Sequence, residues 1–260
     1  MQYDAVILAG GENSSELKKI APYDNEALII IGNYPMIYYV YRALRSTPSI
    51  NNITVSGPIE ALRNILPRED RLFFVEGGEN AIESSAHAVD LLMTMGISDK
   101  VLMVPTDVPF LTAEAINDFL KCCEASEADF YYPITNKEVN EQKYPGVVRT
   151  YVRLKEGVFT GGNLFIMRSD MFPLCLDIGV KLFERRKKPL AMAKLFGLGL
   201  VLRYLFGCLS IQMAEKRFYE VTGIQGKGII SNYAEVGVDV DKPGDLRMAQ
   251  KYLGGINFGR

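Results

Sequence analysis

The stretch Ala5–Asn13, AVILAGGEN, places five apolar residues directly before a pair of glycines. An apolar run without polar alternation, such as Val6–Leu8, is typical of a parallel strand that is covered on both faces. Gly10 and Gly11 have no Cβ, so the backbone there can approach a ligand closely. Ligands of open α/β sheets bind at the carboxyl ends of the strands, and we therefore expect Leu8, Ala9, Gly10 and Gly11 to bind a nucleotide. Alternatively, the glycines only form a tight turn after the strand.

Strand and helix patterns alternate along the first half of the chain. In Tyr34–Leu44, apolar side chains recur at helical spacing after Pro35, which favours a helix that packs on a sheet. This alternation predicts an α/β fold with a mostly parallel sheet. We predict further strands at 51–57, 71–78 and 101–104, and further helices at 58–66, 82–95 and 113–123.

Composition limits the classes of function. The 260 residues suit a single domain, 1–260, and the 29 basic residues nearly balance the 31 acidic ones, so nucleic acid is not an expected partner. His87 is the only histidine, which excludes a histidine-rich metal site, and we assign it no role. The four cysteines show no metal-ligand spacing, and no signal peptide precedes the first strand, so we expect a reducing, cytoplasmic setting.

Three aspartates are candidate metal ligands. Asp107 directly follows the buried strand 101–104, where an acid has little reason to be placed for packing. Asp239 and Asp241 alternate in VGVDVDK, so on a strand their side chains share one face. Carboxylates are the usual protein ligands of Mg²⁺ in phosphate chemistry, and the three acids predict a Mg²⁺ site.

Two further glycine pairs follow strands and carry polar neighbours. Gly77–Gly78 precede a helix with Ser84 and Ser85 in its first turn, which suits an anion or a base edge, although helix-capping serines explain the pattern equally well. Gly161–Gly162 precede Asn163 and another apolar strand, and we expect Asn163 to belong to the nucleotide-binding residues as well. Between these pairs, VVRTYVRL alternates in polarity and predicts an antiparallel, half-exposed strand that covers the active face.

The region of about 174–220 is predicted to be a helical insertion. A basic run, Arg185–Lys188, precedes the apolar segment 189–211, which Lys194 and Arg203 interrupt before it reaches the roughly 20 residues of a membrane span. We favour a pair of helices that forms a lid or a homodimer contact. The alternative is interfacial membrane binding through 185–211, with the basic run facing anionic lipid.

The order LAGG, EALIIIGNYPMIYYVYRAL, PTDVPFL, TGGN and VDVDKPGDL resembles the nucleotidyltransferase superfamily that includes molybdenum-cofactor guanylyltransferases and cytidylyltransferases. The resemblance covers nearly the whole chain except about 174–220. It implies a Rossmann-like three-layer α/β/α nucleotidyltransferase fold. It also implies nucleotide phosphates at Leu8–Gly11, Mg²⁺ at Asp107 and at Asp239 or Asp241, and base contacts at Gly77, Gly78 and Ser84.

The chain departs from the superfamily at two places. An arginine after the first glycines and a lysine before the second apolar segment usually neutralise the leaving pyrophosphate, but Ser15 and Glu26 stand at the corresponding positions. A carboxylate repels a triphosphate unless a metal lies between them. We therefore expect Lys18 and Lys19 of the same loop to supply the catalytic positive charge, unless the activity has drifted or been lost.

The sequence thus predicts a Mg²⁺-dependent nucleotidyltransferase that moves a nucleoside monophosphate from a triphosphate to a small phosphorylated or hydroxyl acceptor. The alternative is a non-catalytic nucleotide or sugar-nucleotide binding protein of the same fold. A nicotinamide-dependent dehydrogenase is disfavoured because no GxGxxG opens the first helix.

Overall fold

The computed structural model describes residues 1–185 and 189–259, and it leaves out the side chains of 189–192. Its strands are β1 (Tyr3–Leu8), β2 (Ile30–Ile31), β3 (Tyr34–Pro35), β4 (Ile50–Ser56), β5 (Leu72–Val75), β6 (Lys100–Pro105), β7 (Phe130–Asn136), β8 (Val152–Leu154), β9 (Gly157–Gly161), β10 (Phe165–Arg168) and β11 (Gly226–Ser231). Its α-helices are α1 (Ser15–Lys18), α2 (Met36–Arg45), α3 (Ile59–Ile65), α4 (Ala81–Met95), α5 (Ala113–Glu124), α6 (Lys137–Lys143), α7 (Phe172–Arg185), α8 (Pro189–Phe196), α9 (Leu198–Leu205), α10 (Ile211–Thr222) and α11 (Pro243–Leu253).

The main sheet contains nine strands in the order β5-β4-β1-β6-β10-β7-β9-β8, and β11 pairs with β7 outside this path. The four strands β5, β4, β1 and β6 are parallel neighbours. Strand β10 is antiparallel to both β6 and β7, so β7 and its parallel partner β11 run in the same direction as β1. Most strands thus share one direction, and the expected α/β fold with a mostly parallel sheet is confirmed.

Helices cover both faces of the sheet in three layers. On one face, α2, α3 and α5 bury the side chains that alternate along β1, such as Tyr3, Ala5 and Ile7. On the other face, α4 and α7 pack on Val6, Val101 and Met103. Because successive side chains of a strand point to opposite faces, the unbroken apolar run in β1 supplies both cores.

The N-terminal cap of helix α4 is Asn80, and not Ser84 or Ser85. The side chain of Asn80 accepts hydrogen bonds from the amides of Ile82 and Glu83, at 2.9 and 3.1 Å. The interpretation of Ser84 and Ser85 as capping residues is therefore wrong, since Asn80 already occupies that position. Ser84 is buried one turn inside the helix.

Two predicted strands differ in the structure. The antiparallel hairpin β8–β9 is present, but β8 begins only at Val152, and residues 147–151 form a loop. The segment with Asp239 and Asp241 is not a strand of the sheet either. It is held beside β6 by a hydrogen bond from the amide of Val240 to the carbonyl of Asp107, at 2.8 Å.

In the described part of the chain, four α-helices, α7–α10, lie between β10 and β11, where the sequence predicts a pair. Helix α10 packs on β11, where a Cβ on Gly226 would lie 2.8 Å from the ring of Phe218. Within the described residues, none of the helices is both long and apolar enough to cross a membrane. Most of the basic run, residues 186–188, lies outside the described part of the chain.

Candidate active site

The glycine loop after β1 lies beside the start of α4. A Cβ on Gly10 would lie 3.5 Å from Ser84 Oγ, and one on Gly77 would lie 3.6 Å from the same atom. The amide of Gly78 donates a hydrogen bond to Ser84 Oγ at 3.0 Å. The structure therefore brings Gly10 together with Gly77, Gly78 and Ser84 at the carboxyl ends of β1 and β5, although Gly10 is more than 60 positions from the other three in the sequence.

The three candidate metal ligands also converge. One carboxylate oxygen each from Asp107, Asp239 and Asp241 lie within 4.8 Å of one another. One carboxylate oxygen of Asp107, Oδ1, is buried and has no hydrogen-bond partner among the described residues. Burial, followed by the charges of Glu26, Asp239 and Asp241, raises the pKa of Asp107 well above its usual range. A buried, unpartnered oxygen in a cluster of acids is the environment that a divalent cation stabilises.

Glu26 joins this cluster from the segment before β2. A Cβ on Gly11 would lie 2.0 Å from Glu26 Oε1, so the Glu26 side chain occupies the space directly above the glycine loop. Burial and then the charge of Asp241 raise the pKa of Glu26 to about 7. Four carboxyl groups thus lie near one another at the carboxyl end of β6, those of Glu26, Asp107, Asp239 and Asp241.

Among the residues that the structure describes, Arg149 is the cation that forms an ion pair with this cluster. Its Nη1 forms an ion pair with Asp239 Oδ1, and its Nη2 donates to the carbonyl of Gly161 at 3.3 Å. Only 10% of the Arg149 side chain is exposed. A guanidinium is well suited to bind phosphate oxygens, so Arg149 adds a phosphate-binding group to the acidic site.

A cavity of about 810 Å³ opens beside Arg149, Asp239 and Asp241. Its lining also includes three basic residues of the segment that leads into and forms α11, namely Lys242, Arg247 and Lys251. Asp245 lines it as well, so acidic and basic side chains alternate around the cavity. Such a lining suits a phosphorylated ligand, which acids bind through a cation and basic groups bind directly.

A family model for the MobA-like NTP transferase domain matches residues 5–191. The chain belongs to this family. Membership confirms the expected place in the nucleotidyltransferase superfamily, and the matched range contains the glycine loop, Ser84, Asp107 and Arg149 of this NTP transferase domain.

Known proteins extend the comparison. A hypothetical transferase from Thermus thermophilus superposes with a TM-score of 0.81 at 32% identity, over 95% of this chain and all of the other. CMP:2-keto-3-deoxy-manno-octonic acid synthetase complexed with CTP superposes with a TM-score of 0.59 at 13% identity, over 96% and 98% of the two chains, and shows a shared fold.

A curated relative, the 2-C-methyl-D-erythritol 4-phosphate cytidylyltransferase of Bifidobacterium longum (strain DJO10A), is 26% identical over 121 residues. The match spans 44% of this chain and only 40% of that enzyme.

Lys18 and Lys19 lie at the end of α1 in the NTP transferase domain, where the sequence predicts a loop. Lys18 Nζ pairs with Asp24 Oδ1 at 3.1 Å, and both lysines are exposed. The start of α1 reaches the acidic cluster, because Ser14 Oγ donates to the carbonyl of Asp241 at 3.4 Å. The segment is anchored by the buried Leu17, and the two lysines project from it into solvent without a contact to the acidic cluster among the described residues.

Asn163 lies just before β10, which neighbours β6 on the side away from β1. Its amide donates to the carbonyl of Val236 at 2.9 Å, and its Nδ2 donates to the carbonyl of Gly237 at 3.3 Å. These bonds hold the turn that leads to Asp239. The geometry thus makes Asn163 a residue that positions the acids.

Arg149 is the site residue that sequence reasoning missed. The alternation in VVRTYVRL favours a half-exposed strand, in which an arginine points to solvent. In the structure the arginine turns inward to a partner that is 90 positions further along the chain. A contact at that separation has no periodic signal, so only the tertiary structure identifies it.

Proposed function

We propose that this chain is a Mg²⁺-dependent nucleotidyltransferase that transfers a nucleoside monophosphate to a phosphorylated or hydroxyl acceptor and releases pyrophosphate. Acceptors of this class include sugar phosphates, alditol phosphates and cofactors. The observation that carries the proposal is the convergence of Asp107, Asp239 and Asp241 within 4.8 Å at the carboxyl end of β6. The chain forms one domain, 1–260, that acts in the reducing cytoplasm.

The donor set fits a hard divalent cation. Asp107, Asp239 and Asp241 offer only oxygen ligands, and the buried Oδ1 of Asp107 lacks any other partner among the described residues. These three residues would hold Mg²⁺. When bound, Mg²⁺ supplies charge neutralisation to the phosphate oxygens of the nucleotide. Glu26 lies close enough to affect the pKa of Asp107, so its carboxylate increases the negative charge that attracts a cation.

The glycine loop and the start of α4 would hold the nucleotide. The backbone at Gly10 and Gly11 can approach phosphates closely once the Glu26 side chain moves away from Gly11, and Gly77, Gly78 and Ser84 form a polar edge beside it. Backbone amides near a helix start favour anions. CTP is the first nucleotide to test, since a curated relative of the chain is a cytidylyltransferase and a neighbour of the same fold was solved with CTP.

The transfer is an exchange of one phosphorus–oxygen bond for another. An acceptor oxygen attacks the α-phosphorus, the bond to the bridging oxygen of the β-phosphate breaks, and that electron pair leaves with pyrophosphate. The work of the chain is to position the reactants and to stabilise charge. Arg149 binds the phosphate of the acceptor beside Asp239. Lys18 and Lys19 bring positive charge to the leaving pyrophosphate.

Pyrophosphate release with each common nucleoside triphosphate, with and without Mg²⁺, tests this function. A panel of sugar phosphates and alditol phosphates provides the acceptors. A thermal-shift series should show stabilisation only when nucleotide and Mg²⁺ are both present, of about 2.7 kcal/mol at 100 times the dissociation constant. Binding of no nucleotide under any condition would refute the proposal.

A non-catalytic nucleotide-binding protein is the second candidate, and Glu26 favours it. A carboxylate directly above the glycine loop opposes a bound triphosphate unless a cation lies between them. Nucleotide binding without pyrophosphate release from any acceptor would support this candidate. Turnover that increases in Glu26→Lys would instead support a transferase whose charge distribution has drifted.

A further inference from the structure

Two apolar cavities lie between the sheet and the helices α7–α10. The first, here called the α7 cavity, has a volume of about 630 Å³ and is lined by α7, the first turn of α4, and strands β7 and β10. The second, the α10 cavity, has a volume of about 390 Å³ and lies between α10, the ends of α8 and α9, and strands β7 and β11. Phe130, Tyr132 and Phe218 line both cavities, so the two spaces adjoin.

The cavities offer a ligand apolar surface and few free polar groups. The charged residues that line the α10 cavity, Glu215 and Lys227, pair with each other at 3.3 Å. In the α7 cavity, the hydroxyl of Ser85 donates to the carbonyl of Ala81 at 2.7 Å. Both volumes fall in the range of about 300–1,000 Å³ that is typical of small-molecule sites. Both spaces open to solvent and their lining is apolar, so they suit the hydrocarbon chain of a ligand.

A short chain of contacts connects the cavities to the acidic cluster. The hydroxyl of Tyr132, which lines both cavities, donates to the carbonyl of Gly162 at 2.6 Å. The neighbouring carbonyl of Gly161 accepts from Arg149, which pairs with Asp239. At the other end, the α7 cavity reaches Ser85, next to Ser84 of the glycine cluster. Tyr132 and the backbone of Gly161 and Gly162 thus lie between the cavities and Arg149, and a ligand that extends past them would bring its head group to Arg149 and Asp239.

Helix α9 exposes an apolar face on the outside of the same region. Leu198, Leu202 and Leu205 are three or four positions apart and thus share one face, and they are 72%, 51% and 69% exposed. Phe206 follows and is 78% exposed. Leu200, on another side of α9, lines the α10 cavity. Helix α9 therefore has an exposed apolar face and, on another side, a leucine that lines the α10 cavity.

The charge of this region selects among possible occupants of the exposed face. Residues 185–214 of the sequence include six basic residues and no acidic residue, and the described ones are Arg185, Lys194 and Arg203. A second copy of the chain would bring the same positive charge, and a peptide would find few free hydrogen-bonding groups in the cavities. An anionic lipid at a bilayer surface satisfies both features, because its head group is negative and its chain is apolar.

We propose that the acceptor is a membrane lipid with a phosphate head group, whose hydrocarbon chain lies in the α7 and α10 cavities while α9 contacts the bilayer. This inference rests on the proposed nucleotidyl transfer and names the acceptor class. The lipid phosphate oxygen attacks the α-phosphorus, pyrophosphate leaves, and the product is a lipid joined to a nucleotide through a diphosphate.

Lipid binding is measurable without any turnover. The sequence contains no tryptophan, so Phe218→Trp places a single fluorescent reporter between the two cavities. We expect phosphatidylcholine vesicles that contain phosphatidic acid with brominated acyl chains to quench this reporter. Absence of quenching would refute the proposal. Equal quenching by brominated phosphatidylcholine alone would also refute it, because the head group would then not be recognised.

A matched pair of variants tests whether the chain occupies the cavity. Gly179 of α7 lines the α7 cavity, and a Cβ there would lie 3.8 Å from Ile82 Cδ1, an ordinary contact. Gly179→Phe in the reporter background should weaken quenching by about tenfold, as expected if two methylene groups can no longer be buried, whereas Gly179→Ala should not. Equal quenching in the two variants would place the lipid chain elsewhere and overturn the assignment.

The activity arm separates this inference from the proposed function. Pyrophosphate release should be at least about tenfold faster with phosphatidic acid vesicles than with glycerol 3-phosphate, which has the same phosphate but no chain. Turnover with glycerol 3-phosphate and no quenching would refute the lipid acceptor alone. Quenching without pyrophosphate release from any acceptor would refute the proposed function, and with it the role of the lipid as acceptor.

Discussion

The two halves of the sheet are built differently. In the parallel half, β5, β4, β1 and β6, each strand is followed by a loop at the same edge, and the polar residues of those loops meet there. In the mixed half, β10, β7, β9, β8 and β11, neighbouring strands run in both directions, and their contacts join distant parts of the chain. The parallel half supplies the glycine cluster, whereas the mixed half supplies Arg149 and the apolar cavities. Nucleotide and acceptor functions should therefore separate under mutation.

Asp107 lies at the boundary between the halves, and its loss should give the largest effect. Asp107→Asn removes a buried carboxylate whose pKa burial and neighbouring acids raise, so we expect unchanged or slightly higher thermal stability. Turnover should decrease by about 10³-fold or more, because charge stabilisation at the reacting centre is lost. Isothermal titration should show that nucleotide binding no longer depends on Mg²⁺. Binding equal to that of the parent would contradict the metal assignment.

Lys18 and Lys19 test the parallel half alone. Replacing both with alanine should lower turnover by about 10²- to 10³-fold if they neutralise the leaving pyrophosphate. Thermal stability should change little, since both are exposed and Lys18 has only a surface ion pair with Asp24. Steady-state kinetics with the acceptor held at saturation measure the effect. Unchanged turnover would remove these lysines from the mechanism.

Arg149 tests the mixed half. Arg149→Met should raise the KM for the acceptor by about tenfold or more, the loss expected for a charged hydrogen bond, and affect the KM for the nucleotide less. Arg153→Met is the matched control, because Arg153 is an exposed residue of β8. Initial rates with each substrate varied in turn provide the comparison. Equal changes in both KM values would show that the two halves do not divide the substrates.

Glu26 should give the smallest effect, which concerns stability and pH. Its pKa rises from 4.5 to about 7 in the folded protein, so the folded state binds the proton more tightly than the unfolded chain. The resulting stabilisation is complete below about pH 4.5 and is lost as the pH rises through about 7.

Glu26→Gln should therefore become more stable relative to the parent across this range of pH when chelator is present. Mg²⁺ should reduce the difference, since a cation near the carboxylate lowers its pKa. Melting temperatures of parent and variant, each measured with chelator and with Mg²⁺, test this. A difference that stays constant with pH would show that Glu26 does not titrate in this range.

The sequence alone determined most of the parallel half. Strands β1 and β6 and helices α2, α4 and α5 follow from apolar runs, helical periodicity and turn residues, with bounds that differ by only a few positions. Asp107 was also identifiable, because a charged residue directly after a buried strand has a position that local rules predict. Local signals suffice here since each unit of strand, loop and helix is consecutive in the chain.

Only the tertiary structure decided the rest. The sequence could pair Asp239 with Asp241, but their approach to Asp107 depends on a hydrogen bond from Val240 across more than 130 positions. The side chain of Arg149 points inward to Asp239, although the polarity of its segment predicts an exposed strand. The side chain of Glu26 lies directly above Gly11. The cavities under α7–α10 arise from how four helices pack on one face of the sheet. Such contacts depend on the relative placement of distant elements, which periodicity and local propensity do not encode.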